Sequence, residues 1–161
     1  MQRRELLFGA AAATLLTTAG TAEAQRTIDA AKLPALQGGD FATVTSQLAR
    51  QRSRSAAVRT FAQLEINEQA AVAAAFGARP GAAGLNGRQA AMVQQLQGLS
   101  GRAFDAAYLE GQIMGHQELL AIHRRYARRG SDQMARGASM VAVPSIETHL
   151  AMLNTLRRTI G

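Results

Sequence analysis

Cysteine is absent. That excludes disulfide staples, thiolate metal ligation, a cysteine nucleophile and a lipobox anchor. Tryptophan is absent too, and aromatic residues make up only 4 % of the chain. Lys32 is the sole lysine, so the formal charge of +7 is carried almost wholly by arginine. β-Branched runs are missing beyond the first two dozen residues. No later segment reaches the roughly 18 uninterrupted apolar residues of a transmembrane span. No internal repeat is visible, no serine sits in a nucleophile elbow, and no glycine loop ends in Lys-Ser/Thr. Hydrolase and phosphate-cradle readings therefore have no support.

What is present starts with a leader. Arg3 and Arg4 precede an apolar stretch from Leu6 to Thr17, and Ala22-Glu23-Ala24 offers small residues at −3 and −1 of a cleavage site. This pattern predicts a secretory signal peptide over 1–24. The paired arginines before Glu5-Leu6-Leu7-Phe8 are similar to a twin-arginine signal, although Gln2 replaces the usual Ser or Thr. Both export routes stay open, and the expected location is the periplasm or cell envelope. The mature chain then has no transmembrane span and is long enough for one domain with a core. Removing Arg3, Arg4, Glu5 and Glu23 leaves the charge balance unchanged. Export argues against nucleic acid as the partner of this basic chain. Anionic envelope components are the better electrostatic match, beside a basic face that is merely solvated.

Alanine, glutamine and arginine in quantity with few aromatics predict helices. Residues 25–39 read as a lead-in broken by Pro34 and Gly38-Gly39, and residues 40–161 as the folded domain. Asp40 is placed as the N-cap of a first helix running to Arg52, with Phe41, Val44 and Leu48 on one side. After a turn at 53–55, a second helix spans about 55–76. Gly77 to Gly87 is a loop, and a short helix covers about 88–97. Ser100 is placed to cap a long helix over 101–129 that stops at Gly130. A last helix runs to the C-terminus, with Pro144 expected to kink or split it. Short connections between four longer amphipathic helices predict an all-α antiparallel four-helix bundle with a short extra helix.

Several polar residues fall on apolar faces. The second helix carries Val58, Phe61, Glu65, Glu68, Val72 and Ala75 at alternating spacings of 3 and 4. A rival face through Ala57, Leu64, Ala71 and Ala75 would turn Glu68 to solvent. The long helix has Leu109, Gln112, His116, Leu119, His123 and Tyr126 in the same alternation, and the last has Ile146, His149, Leu153, Leu156 and Ile160. Glu65, Glu68, His116 and His149 are thus the candidate metal ligands, since carboxylates and imidazoles from facing helices hold divalent ions in bundles, including di-iron pairs. The competing reading makes them hydrogen-bonded core histidines and paired carboxylates, with no cofactor. His116 and His123 lie two turns apart, about 10 Å along the axis, too far to share one ion. His123, beside Arg124 and Arg125, is expected at the surface. Tyr108 and Tyr126 are expected to fill gaps with exposed hydroxyls, and Met92, Met114, Met134, Met140 and Met152 to fill the core. The methionines lack a Met-x-x-Met pattern, which argues against copper. Arg124, Arg125, Arg128 and Arg129 cluster where a helix C-terminus favours cations.

Three segments carry a resemblance: Val58-Arg59-Thr60-Phe61-Ala62-Gln63, the run from Leu99 to Leu109 with its Leu-Ser-Gly-x-x-Phe-Asp-x-x-Tyr core, and Pro144-Ser145-Ile146-Glu147-Thr148-His149-Leu150. Over about residues 38–157 the chain resembles the exported, ferritin-like bacterial proteins grouped as domain of unknown function 4142, often labelled putative outer membrane proteins. The resemblance implies a ferritin-like bundle and brings no assigned activity. It also implies Asp-His pairs on the second and long helices and a His after the last-helix Pro. Here those positions read Glu68-Gln69, Gly115-His116 and His149, and a first-helix Glu of the family corresponds to Val44. The expected function is a non-catalytic envelope or stress-associated binding protein, with a metal-binding or redox bundle as the alternative.

Overall fold

A computed structural model describes residues 28–160; the leader over 1–24 lies outside the described residues. The described residues are all-helical, with five helices and no strand. These are α1 (Leu33–Arg52), α2 (Ala56–Ala75), α3 (Gly87–Gln97), α4 (Gly101–Arg129) and α5 (Gln133–Ile160). The longest contacts join α4 to α5 and α1 to α2, while α2 meets α5 far less extensively. No described helix is long and apolar enough to cross a membrane.

The helix starts follow local chemistry. Ser55 accepts a hydrogen bond from the Val58 amide and caps α2. Asn86 and Gln89 form a reciprocal capping box at the start of α3. Ser100 holds the N-cap position of α4 but makes no side-chain cap bond.

The largest departure from the sequence reading is at α1, which begins at Leu33 rather than at Asp40. Pro34 lies in the first turn, where its missing N–H costs nothing. Gly38 and Gly39 do not break the helix, because they serve close packing. A Cβ on Gly38 would collide with the Leu119 side chain, and one on Gly39 would lie 2.6 Å from Gln69 Oε1. Asp40 is therefore not a helix cap. It is buried in α1, and its carboxylate accepts the amides of Gly81 (2.6 Å), Ala83 (3.0 Å) and Gly84 (2.9 Å). That fastens the 76–86 connection to α1. Gly81 and Gly84 take φ values of 85° and 66°, a region that favours glycine and aims successive amides at one acceptor.

Pro144 does not divide α5, which runs unbroken from Gln133 to Ile160. Met140, whose carbonyl loses its partner to the proline, is exposed, so water can satisfy that group.

The interior has two apolar ends. One groups Ala49, Val58, Phe61, Phe104, Tyr108, Leu109 and Leu153 among others. The other gathers Leu36, Ala73, Phe76, Tyr126 and Ala135. Between them, by register on α2, α4 and α5, lies a polar layer.

Candidate metal centre

Three of the four residues singled out on α2, α4 and α5 meet in that layer. Glu65 Oε2 lies 3.1 Å from His116 Nε2 and 3.1 Å from His149 Nδ1. The two ring nitrogens are 3.3 Å apart. The three donor atoms form a near-equilateral triangle, and all three residues are buried. The face of α2 through Val58, Phe61 and Glu65 is the inward one. The rival face is not the core, because Ala57, Leu64 and Ala71 are exposed. Alanine on that side buries too little to compete with Val58 and Phe61.

Glu68 does not join the triangle. Its Oε2 lies 3.4 Å from His149 Nε2, on the opposite edge of the ring, and its Oε1 accepts from Ser145 Oγ at 2.7 Å. It sits at the rim rather than in full solvent, one turn from the buried Glu65.

The outer atoms of the triangle are also held. His116 Nδ1 donates to the Gln112 carbonyl at 2.8 Å. Gln69 Nε2 donates to Glu65 Oε1 at 2.8 Å. Gln112 itself donates to Thr45 Oγ1 at 2.7 Å, tying α4 to α1. Phe61 closes the layer from one apolar end, its ring centroid 5.4 Å from His149 and 6.1 Å from His116.

These contacts determine where protons sit. A carbonyl oxygen only accepts, so His116 Nδ1 carries hydrogen and Nε2 of the neutral ring holds a lone pair. His149 faces a carboxylate at each ring nitrogen, Glu65 Oε2 at Nδ1 (3.1 Å) and Glu68 Oε2 at Nε2 (3.4 Å), which favours a hydrogen on both. The His116 Nε2 lone pair and the Glu65 Oε2 then converge on the His149 Nδ1 hydrogen. Such a triangle needs a cation, either an added proton or a metal ion. In the metal-free chain it is a proton. Burial pushes the Glu65 carboxyl up, but hydrogen bonds and charge attraction from His116 and His149 outweigh it and hold Glu65 well below the usual range. Burial lowers His149, and the facing Glu65 and Glu68 carboxylates overcome that and raise it.

Several other expectations are corrected. His123 is buried in the interior, not at the surface; Nδ1 lies 3.0 Å from Ser139 Oγ and the ring packs edge-on against Phe76. The stripe that carries Leu119 inward carries His123 with it. Burial lowers its pKa to about 4, so it is a neutral imidazole. The tyrosine hydroxyls are also buried. Tyr108 shares a 2.9 Å hydrogen bond with Ser46, and burial first of all raises its pKa. Tyr126 has no partner for its hydroxyl among the described residues. Met114, Met134 and Met140 are exposed rather than core filler. Met114 lies on the outer side of α4, and the first half of α5 presents Met134 and Met140 outward because Ala135, Ser139 and Ala142 take the inward face.

Gln69, Gln112 and Ser145 were not singled out from the sequence. Gln69 lies four residues after Glu65, which places it over the same turn. Ser145 lies four before His149 by the same rule. Gln112 acts on His116 through a backbone atom, which no residue type announces.

An all-helical protein with one buried carboxylate and two buried imidazoles facing each other is the class that this geometry defines. The sequence profile of the family described as "Domain of unknown function (DUF4142)" matches residues 13–156. The chain belongs to that family. No curated protein matches it. No solved structure matches it either.

Proposed function

We propose that the protein is an exported, ferritin-like four-helix-bundle protein that binds one divalent first-row metal ion at Glu65, His116 and His149. The observation that carries the reading is the convergence of three buried ligand atoms, one from each of Glu65, His116 and His149, 3.1, 3.1 and 3.3 Å apart. Ligands bound at about 2.0–2.2 Å with angles between square and tetrahedral stand about 2.9–3.5 Å apart, so the triangle matches one ion's coordination face. The outer contacts support it as well. Metal-bound histidines donate their second nitrogen to a carbonyl or carboxylate, which is what Gln112 and Glu68 offer His116 and His149.

The donor set of two imidazoles and one carboxylate suits zinc or ferrous iron. A di-iron pair needs about four carboxylates, and a single inward carboxylate favours one ion. The leader pattern at Arg3, Arg4 and Ala22-Glu23-Ala24 supports export to the periplasm.

Metal analysis and titration test this reading. The chelator-treated protein is titrated with Co(II) and Zn(II), following the cobalt spectrum and the melting temperature. The expected result is one ion per chain and a higher melting temperature, both lost in Glu65→Gln and His116→Gln. Absence of stoichiometric uptake of Zn(II), Co(II), Fe(II) and Mn(II) by the unmodified chain overturns it.

A second reading rests on Arg125, Arg128 and Arg129, which make no ion pair or hydrogen bond among the described residues. Three uncompensated arginines at the end of α4 favour contact with anionic envelope components, in a role without catalysis. Cosedimentation with vesicles containing anionic lipid, reduced in an Arg125/Arg128/Arg129→Gln variant, is the expected result. Equal sedimentation of the variant and the native chain ends that reading.

A further inference from the structure

A buried centre has to be loaded from solvent, and side-chain exposure falls steadily along one line into it. Glu68 is 29 % accessible, His149 9 %, His116 1 % and Glu65 0 %. Glu68 is the charged side chain that touches both solvent and the histidine–carboxylate cluster. It stands on the seam between α2 and α5, where the helices meet least extensively of the two pairs that flank α2. Its Oε1 accepts from Ser145 Oγ at 2.7 Å, a hydrogen bond that ties the seam shut. Its Oε2 faces the outer nitrogen of His149 at 3.4 Å.

The other opening along this seam is chemically unlike it. A groove between α2 and α5 is lined by Ala57, Thr60, Phe61, Ala151, Met152 and Leu156. An ion taking that path would shed its water against hydrocarbon, which is costly. A carboxylate at the rim replaces part of the hydration shell and offers an attractive charge at the start of the path.

We propose that Glu68 is the gateway carboxylate of the centre and Ser145 its latch. A hydrated divalent cation is captured by Glu68 at the surface. It passes inward along the α2–α5 seam when the Ser145–Glu68 hydrogen bond opens, and Glu68 does not remain a ligand. The proposal rests on the metal reading of Glu65, His116 and His149.

Stopped-flow mixing of the chelator-treated full-length chain with Co(II) tests it, followed by cobalt absorbance for loading and by transfer to excess chelator for release. Glu68→Gln should load at least about tenfold more slowly, the scale of electrostatic capture, while still taking one ion. Ser145→Ala should speed both loading and release. Circular dichroism checks that both variants are folded. Loading of Glu68→Gln at the native rate overturns the gateway, as does faster release with loading unchanged, which is the mark of a residue that only orients His149. Failure of Glu68→Gln to take up any ion overturns it too, since Glu68 would then be a ligand. A native chain that takes up no Co(II) sinks the centre itself and the gateway with it.

Discussion

Gln69 donates its side-chain amide to Glu65 Oε1 across one turn of α2, at 2.8 Å, and leaves Oε2 as the oxygen that faces the histidines. Gln69 is itself confined. The opposing α1 backbone at Gly39 comes so close that a Cβ there would lie 2.6 Å from Gln69 Oε1. The glycine on one helix thus sets the amide on the next, which sets the carboxylate.

Gly39→Ala should separate fold from site. The clash falls on the far end of a flexible side chain, so Gln69 moves rather than the helices. Alanine also gains about 0.5–1 kcal/mol in a helix interior, which offsets the rearrangement. We expect a melting temperature close to the native value and Co(II) affinity lowered about tenfold or more, the scale seen when a ligand's outer partner is disturbed. Isothermal titration of the metal-free variant beside a thermal melt reads both. Unchanged affinity would show that Gln69 does not orient Glu65.

The same pair illustrates how far the amino-acid pattern reaches. The alternation of 3 and 4 on α2, α4 and α5 placed Glu65, His116 and His149 on inward faces, and all three are there. Helix limits for α2 to α4 were legible because Gly77, Gly87, Gly98-Leu99-Ser100 and Gly130 bound them. Asp40 and Gly38-Gly39 misled for one reason. Their types favour helix ends when read locally, whereas here Asp40 is answered by amides 41 to 44 residues away, and the glycines by Leu119 and Gln69. Long-range partners leave no trace in a local pattern. His123 was misplaced because its arginine neighbours in the chain point elsewhere around the helix.

The metal-free protein should lose stability on both sides of neutrality, through different histidines. His123 titrates at about 4 when folded and near 6.5 when unfolded. Between those values the unfolded chain binds more protons, so stability falls as pH drops, by on the order of 3 kcal/mol in full. His149 has the opposite sign. Its folded pKa is raised by Glu65 and Glu68 against the opposing effect of burial. Its contribution is complete below about 6.5 and is lost as pH climbs through the raised value. Denaturant unfolding across pH 4 to 9 should show both limbs. His123→Gln should flatten the acid limb alone, and His149→Gln the alkaline one. An acid limb that persists unchanged in His123→Gln would show that the buried imidazole is not its source.

Asp40 holds the connection between α2 and α3, and its loss should be local. Three amides, from Gly81, Ala83 and Gly84, converge on one carboxylate. Asp40→Ala leaves all three without that acceptor and removes a charge-assisted set of bonds, a cost of about 3 kcal/mol. Asp40→Asn keeps one acceptor oxygen and should fall about midway. Hydrogen exchange should rise at Gly81, Ala83 and Gly84 in the alanine variant while the α4 amides around His116 keep their protection. The connection lies away from Glu65, His116 and His149, so the Co(II) stoichiometry should stay at one. Exchange that rises equally in α4 would mean that Asp40 supports the whole helical assembly and not this connection alone.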